Sequence, residues 1–332
     1  MMQIQTGVPQ GSILGPLLFL IYINDIHFAS NKFSFVLYAD DTSLEIPFAS
    51  LEITNSIDDL NTTINNELNK IYDWLCVNKL SINVGKTKFM VFHFPQRTNI
   101  PNDAFNLEIN ETAIERVNTF NFLGIHVDET LSWKKHTTYL SLKLSRSIGV
   151  IKRLRRFLPP PTLRTLYNSL ILPHLLYGIL AWGHKGNHIF KLQKRAIRLI
   201  SNAKYNAHTN PLFVFFNIPK FEDLRIISAL KFYHKYKSGN LPKYFSGMFD
   251  RHTPEHSYNT RYRDHPSAKT PTHSYLKDFC RFSVPIIIDS LPNTIKDKVS
   301  THSIHGLSSY AKQHFISNYD VICHNQNCYI CK

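Results

Sequence analysis

The run Phe33-Ser34-Phe35-Val36-Leu37-Tyr38-Ala39-Asp40-Asp41-Thr42-Ser43-Leu44 constrains the fold most, because β-favouring apolar residues stop there at two adjacent acids. Val, Leu, Phe and Tyr suit a pleated, half-buried surface and Asp does not. Asp40-Asp41 is therefore expected to form the turn of a hairpin whose second arm is Thr42 to Ile46. Side-by-side carboxylates repel, and a fold keeps such a pair where a divalent cation neutralises it, most naturally Mg²⁺ with its preference for hard oxygen ligands. The chemistry this suggests is phosphoryl transfer, in which two ions about 3.5–4 Å apart clamp the attacking and leaving oxygens. Taken alone, a Tyr-Ala-Asp-Asp tetrapeptide is more often an Asx-rich turn than a metal site, so its neighbours decide.

Upstream, Gly7-Val8-Pro9-Gln10-Gly11-Ser12 forms a glycine-rich loop, and the apolar run from Pro16 to Ile26 reads as a helix opened by proline. Glycine lets backbone approach a nucleotide or template base closely. Downstream, Leu80-Ser81-Ile82-Asn83-Val84-Gly85-Lys86-Thr87-Lys88 leads into a strand expected over Lys86–Phe92. Phe122-Leu123-Gly124-Ile125-His126-Val127-Asp128 lies in a hairpin expected over Phe120–Val127, after short strands that turn at Asn110-Glu111. In this order and spacing the four motifs resemble the reverse transcriptases of jockey-like non-LTR retrotransposons, and they cover roughly the first 135 residues.

The resemblance implies an α+β fold. Residues 1–130 would be a partial polymerase palm, an antiparallel sheet with packing helices, and 131–205 a basic helical thumb. Residues 206–332 would be a mixed, loop-rich region. It implies Mg²⁺ on Asp40 and Asp41, with Lys86 assisting the departing pyrophosphate. Gly7, Pro9, Gln10, Gly11, Ser12 and Tyr38 would lie against nucleotide and template, and Phe122, Leu123 and Gly124 would grip the primer. The partners implied are an RNA template, a DNA primer, their RNA–DNA hybrid and deoxynucleotides. The family also places a third aspartate on a strand before the glycine loop, together with the fingers and a nucleotide-selecting residue. Only six residues precede Gly7, and neither Asp25 nor Asp128 replaces that aspartate. The chain is accordingly expected to be an N-terminally truncated polymerase fragment, inactive alone. A non-enzymatic nucleic-acid-binding remnant of a mobile element is the alternative.

Charge supports a polyanionic partner. The net +14 divides into −8 over residues 1–130, +18 over 131–240 and +4 over 241–332, and in the middle block only Glu222 and Asp223 offset twenty cations. Within it, Trp133–Phe157 reads as a basic helix stopped by Pro159-Pro160-Pro161. A second helix from Thr162 is interrupted at Pro173, and a third spans about Asn187–Ser201. Lys152, Arg153, Arg155 and Arg156, with Lys194, Arg195 and Arg198 on the third helix, are the expected backbone-phosphate contacts. Leu51–Leu80 carries apolar residues at three- and four-residue steps, an amphipathic helix whose polar face, including Asn61, Asn65 and Asn66, is expected to be solvated.

No apolar stretch is long enough to span a membrane and no signal peptide opens the chain, so the protein is read as intracellular without membrane contact, nucleus or cytoplasm left open. Cys76 and Cys280 read as small core residues. Cys323, His324, Cys328 and Cys331 are a candidate Zn²⁺ set, although adjacent Cys323 and His324 cannot easily both face one ion.

Overall fold

The computed structural model describes residues 11–47, 57–94, 104–249 and 277–320. They form two compact units, one within residues 1–120 and 128–131, the other within 121–127 and 132–332. Helices and short strands are mixed, an α+β chain.

The first unit begins with α1 (Leu14–Ile23), a 3-10 turn (Asn24–Ala29), and the strands β1 (Ser34–Tyr38) and β2 (Asp41–Glu45). Helix α2 (Ile57–Val77) follows, then β3 (Lys88–Phe89), β4 (Glu108–Ile109), β5 (Thr112–Ala113) and β6 (Glu115–Arg116). Ile71 of α2 is buried with Ile23 and Ile26, and Phe33, Phe35, Leu37, Leu44 and Trp74 pack on them. The apolar stripe of α2 thus carries the hairpin, as its periodicity predicts. Helix α1 is apolar on every side, yet Leu14, Leu17 and Ile21 are exposed.

The expected antiparallel sheet appears as separate two-stranded ladders, and the pairing of β3 with β6 is parallel. The strand expected over Lys86–Phe92 is only Lys88–Phe89, because Asn83 winds the preceding residues into a turn. Its carbonyl accepts the backbone N–H groups of Lys86 and Thr87, both at 3.0 Å. The turn at Asn110-Glu111 forms as expected, with both residues at positive φ (48° and 59°) between β4 and β5. This is the sign pattern of a type I′ hairpin turn.

The polar face of α2 is not simply solvated, which corrects the sequence expectation. Asn61 Nδ2 donates to the Ala104 carbonyl (3.1 Å) and its Oδ1 accepts from Asn106 N (3.2 Å). Asn65 Nδ2 donates to the Asn106 carbonyl and its Oδ1 accepts from Glu108 N, both at 3.1 Å. Asn69 Oδ1 accepts from Asn110 N at 3.4 Å. Four helical residues rise about 6 Å and two extended residues about 6.7 Å, so amides one turn apart meet every second residue of the chain beside them. Three asparagines stand in for a neighbouring strand.

A second tie lies on the same helix. Glu67 is buried, with Ser30 Oγ donating to Oε2 at 2.5 Å and Lys70 Nζ to Oε1 at 2.6 Å. Burial acts to raise its pKa, but the bonds from Lys70 and Ser30 outweigh it and hold Glu67 below its ordinary value. Ser30 Oγ also accepts from Lys32 N at 3.2 Å, fixing the approach to β1.

After β7 (Thr119–Phe122) and β8 (Ile125–Asp128), the second unit is helical. It comprises α3 (Lys134–Leu154), α4 (Pro160–Leu170), α5 (Leu172–Leu176), α6 (Ile179–Trp182), α7 (Asn187–Ile200), α8 (Asn210–Phe215), α9 (Phe221–Lys237), α10 (Cys280–Asp289), α11 (Asn293–Thr301) and α12 (Ile304–Ser317). One core gathers Leu144, Ile151, Tyr167, Trp182, Ile197 and Phe213, and another gathers Leu230, Val284, Ile295 and Leu307. Helix α3 ends at Leu154, before the prolines. Pro159 precedes α4 as its N-cap, and Pro160 and Pro161 open that helix, where a missing N–H costs nothing. The break expected at Pro173 falls at Ile171, between α4 and α5. Cys76 is exposed and not a core residue, whereas Cys280 is half-buried and burial pushes its thiol up to about 11. No helix among the described residues is long and apolar enough to cross a membrane.

The asparagine ladder is testable by equilibrium urea unfolding. Asn65→Ala removes two hydrogen bonds and is expected to cost about 1–2 kcal/mol. Asn66→Ala, one residue away and exposed, is expected to change stability by less than about 0.5 kcal/mol. Equal effects would show that the ladder contributes nothing.

Candidate active site and nucleic-acid interface

Strands β1 and β2 pair in the register Ser34↔Glu45 to Tyr38↔Asp41, so the two-residue turn is Ala39-Asp40. Asp41 already belongs to the second strand, one residue earlier than the sequence reading placed it. Ala39 takes φ of +52°. A left-handed alanine costs about 1–2 kcal/mol, and such strain concentrates at functional turns. Both aspartates and Tyr38 are exposed at this end of the hairpin, Tyr38 at 62%.

Among the loop residues, Gly7, Pro9 and Gln10 lie outside the described residues. Gly11 has φ of +85°, and Ser12 Oγ accepts from Gly15 N at 3.0 Å, so this hydroxyl supports the start of α1. Lys86 is exposed in its turn, its backbone N–H also accepted by Asn83 Oδ1 at 3.1 Å. Among the described residues no hydrogen bond or ion pair joins Lys86 to Asp40 or Asp41. Nor does any group of three or more His, Cys, Asp or Glu side chains come together to hold a metal ion. Cys323, His324, Cys328 and Cys331 lie outside the described residues.

Between β7 and β8, the turn Leu123-Gly124 has φ of 47° and 82°, again the type I′ signs. Its tip is held by residues that sequence reading missed. Tyr177 donates its O–H to the Leu123 carbonyl at 2.5 Å, and the Tyr177 carbonyl accepts from Trp182 Nε1 at 2.8 Å. Gly178, at φ of 62°, lies so close that an added Cβ would sit 2.4 Å from Ile125 Cδ1. His136 Nδ1 accepts the His126 backbone N–H at 3.3 Å, while its buried Nε2 has no hydrogen-bond partner and its ring lies 5.2 Å from that of Trp182. Burial, then the charges on His126 and Lys143, push His136 down to about 4, so it is neutral at ordinary pH. No local pattern marks these positions, because the contacts join residues some 10 to 54 apart in sequence.

The basic residues divide by exposure. Lys152, Arg153, Arg156 and Arg195 are exposed and Arg155 is half-buried; Arg155 and Arg156 lie just beyond the end of α3. Lys194 and Arg198 are half-buried rather than exposed. Lys194 Nζ sits 4.3 Å from the Phe190 ring centroid, and Arg198 Nε donates to the Ala207 carbonyl at 2.8 Å. Burial, then Arg198 and Lys191, lower the Lys194 pKa. Arg198 therefore secures a loop with at least part of its guanidinium.

Residues 2–127 match the reverse transcriptase (RNA-dependent DNA polymerase) family. The chain carries a reverse transcriptase domain homologous to the RNA-directed DNA polymerases of jockey and other non-LTR retrotransposons. It is 27% identical over 246 residues to the RNA-directed DNA polymerase from mobile element jockey of Drosophila funebris, covering 70% of this chain and 26% of that protein. The corresponding protein of Drosophila melanogaster is 25% identical over 234 residues, 66% of this chain and 24% of its own length. A retrovirus-related Pol polyprotein from type-1 retrotransposable element R1 2 of Nasonia vitripennis is 24% identical over 184 residues, 53% of this chain and 43% of that protein. The chain thus spans about a quarter of the length of the two jockey polymerases. No solved structure matches it.

The seating of the β7–β8 tip can be measured by thermal unfolding. Gly178→Ala is expected to destabilise the helical unit by about 2 kcal/mol or more, through overpacking against Ile125 and the positive φ. Tyr177→Phe should cost about 1 kcal/mol. An unaffected Gly178→Ala variant would mean that the tip is not packed there.

Proposed function

We propose that this chain is the part of an RNA-directed DNA polymerase that carries the carboxylate hairpin, the primer grip and the duplex-holding helices. The observation that carries the reading is the strained Ala39-Asp40 turn, which presents two adjacent exposed carboxylates within a reverse transcriptase domain. The first unit is read as palm and the helices from Lys134 to Ile200 as thumb.

Asp40 and Asp41 offer hard oxygen donors that suit one Mg²⁺, the rest of its shell coming from water and substrate phosphates. When bound, Mg²⁺ would neutralise phosphate charge during nucleotidyl transfer. Two adjacent carboxylates from one hairpin do not by themselves make a two-metal site, which takes carboxylates converging from neighbouring strands. Gly7 to Ser12 and Tyr38 lie against nucleotide and template, Lys86 supplies positive charge for the departing pyrophosphate, and Phe122, Leu123 and Gly124 hold the primer terminus by shape. From Ser132 to Phe221 the sequence contains no Asp or Glu, so the cations of that stretch find no carboxylate within it. RNA–DNA hybrid, with its dense phosphate charge, is the partner that fits.

The stretch without carboxylates also favours a second reading, a nucleic-acid-binding protein without catalysis. Metal dependence separates the two. In the polymerase reading Mg²⁺ binds the free protein, and Asp40→Asn or Asp41→Asn weakens it at least tenfold by calorimetry. Indifference of Mg²⁺ binding to both changes supports the binding-only reading. This chain by itself is expected to extend no primer on an RNA template, because misplacing the reacting oxygen by about 1 Å costs on the order of 100-fold. Extension that depends on both Mg²⁺ and Asp40 would overturn that expectation.

Phosphate contact by the basic residues has its own measurement. Log K for hybrid binding should fall linearly with log salt, with a slope of about 0.9 per contact and little sequence preference. Changing Lys152, Arg153, Arg155 and Arg156 together to Ala is expected to flatten that slope by up to about 4, while circular dichroism stays unchanged because Ala favours helix. An unchanged slope would place the phosphate path elsewhere.

A further inference from the structure

Helix α1 carries a surface that the four motifs do not use. Its ten residues, LGPLLFLIYI, include no charged side chain, and at 3.6 residues per turn they divide into two faces. One face is core: Ile23 is buried with Ile26 and Ile71, and Phe19 packs on them. Leu14, Leu17, Leu18 and Ile21, spaced i, i+3, i+4 and i+7, share the opposite face and are between 47% and 64% exposed. Ile13, at 95%, and the exposed Leu20 widen that face along one side.

We propose that this outer face of α1 is the two-fold interface of a homodimer, packed antiparallel against α1 of a second copy. The inference goes beyond the polymerase reading and does not rest on it.

Area sets the first condition. Ile13, Leu14, Leu17, Leu18, Leu20 and Ile21 together leave on the order of 700 Å² in water, above the roughly 300–600 Å² of the largest apolar patch on a usual monomer. That area lies within the roughly 600–1,000 Å² that each partner gives to a specific interface. Covering it is favourable in proportion to the apolar area removed from water.

Charge then selects the occupant. From Gly11 to Asn31 the ionisable side chains are Tyr22, Asp25 and His27, and no Lys or Arg precedes Lys32. A polyanion or an anionic lipid surface finds no fixed cation there, and helices that lie on membranes typically carry Lys and Arg on a polar face. Ten residues also rise only about 15 Å, half of a hydrocarbon core of about 30 Å. The partner that fits presents an uncharged apolar face of its own, and a second copy of this chain supplies one. In a two-fold contact each face meets itself, so a charged face would repel its mate, and this one has no charge to repel. Antiparallel packing sets unlike helix ends together. Once two copies cover each other the face is used up on both, so association closes at the dimer.

The test is sedimentation equilibrium of the whole chain, freed of nucleic acid. A dimer with a dissociation constant of about 10 μM or tighter is expected. Leu17 lies midway along the stripe, nearest the two-fold axis. Leu17→Glu and Leu17→Lys, each alone, are expected to weaken the dimer at least about 100-fold by setting like charges together in an apolar contact, with circular dichroism unchanged because the side chain is exposed in the single copy. Mixing the two variants is expected to restore association to within about tenfold of wild type, a recovery that misfolded variants would not show. A wild-type chain that stays monomeric up to about 100 μM would overturn the proposal whatever the variants do, and its uptake by phosphatidylcholine vesicles would then give the face to lipid. Dimers that both variants leave intact would overturn it by placing the contact elsewhere, and open-ended association would overturn it by denying the two-fold.

Discussion

Helix α2 is the element on which the first unit depends, because it satisfies two different demands at once. Its apolar stripe carries the carboxylate hairpin through Ile71 and Trp74. Its other face pairs with backbone, since Asn61, Asn65 and Asn69 supply the donors and acceptors that a neighbouring strand would supply to residues 104–110. Most of these bonds are exposed to solvent, so the ladder fixes where residues 104–110 lie along the helix more than it rescues buried backbone. Glu67, buried between Ser30 and Lys70, adds a polar pin between the helix and the approach to β1. A hairpin of two strands is marginal on its own, and here a helix gives it a fixed footing.

That footing is what allows strain at the turn. Ala39 sits where glycine would be more comfortable, and the surrounding register, Tyr38 opposite Asp41, over-determines it. The consequence is two carboxylates at an exposed tip, and among the described residues no cation is ion-paired with them.

The second unit solves the opposite electrostatic problem. It stacks helices rich in Lys and Arg without carboxylates along the first ninety or so residues. Part of the charge is put to structural use, as in the Arg198 bond to the Ala207 carbonyl, and part is damped by aromatic faces, as Lys194 over Phe190 and Lys143 over Tyr139. His136 stays neutral among these cations, its pKa pushed down to about 4 chiefly by burial, and so packs against Trp182 and receives the His126 N–H. The β7–β8 tip is seated by those same residues.

Much of this was legible in the sequence, because the signals are local. Period-2 and period-3.6 patterns located the hairpin, α2 and α7, ordered motifs identified the reverse transcriptase domain, and the charge division marked the basic block. Where local rules failed, a second rule competed. Prolines read as stopping α3 instead open α4, since proline is as well suited to a first helical turn as to ending the helix before it. Asparagines read as solvated bind backbone some forty residues away, and Arg198, read as a phosphate contact, closes a loop. Only the tertiary structure could decide that Tyr177, Gly178 and His136 hold the Leu123-Gly124 turn. Those contacts depend on which faces meet after the helices pack, and no periodicity encodes a meeting between residues that far apart.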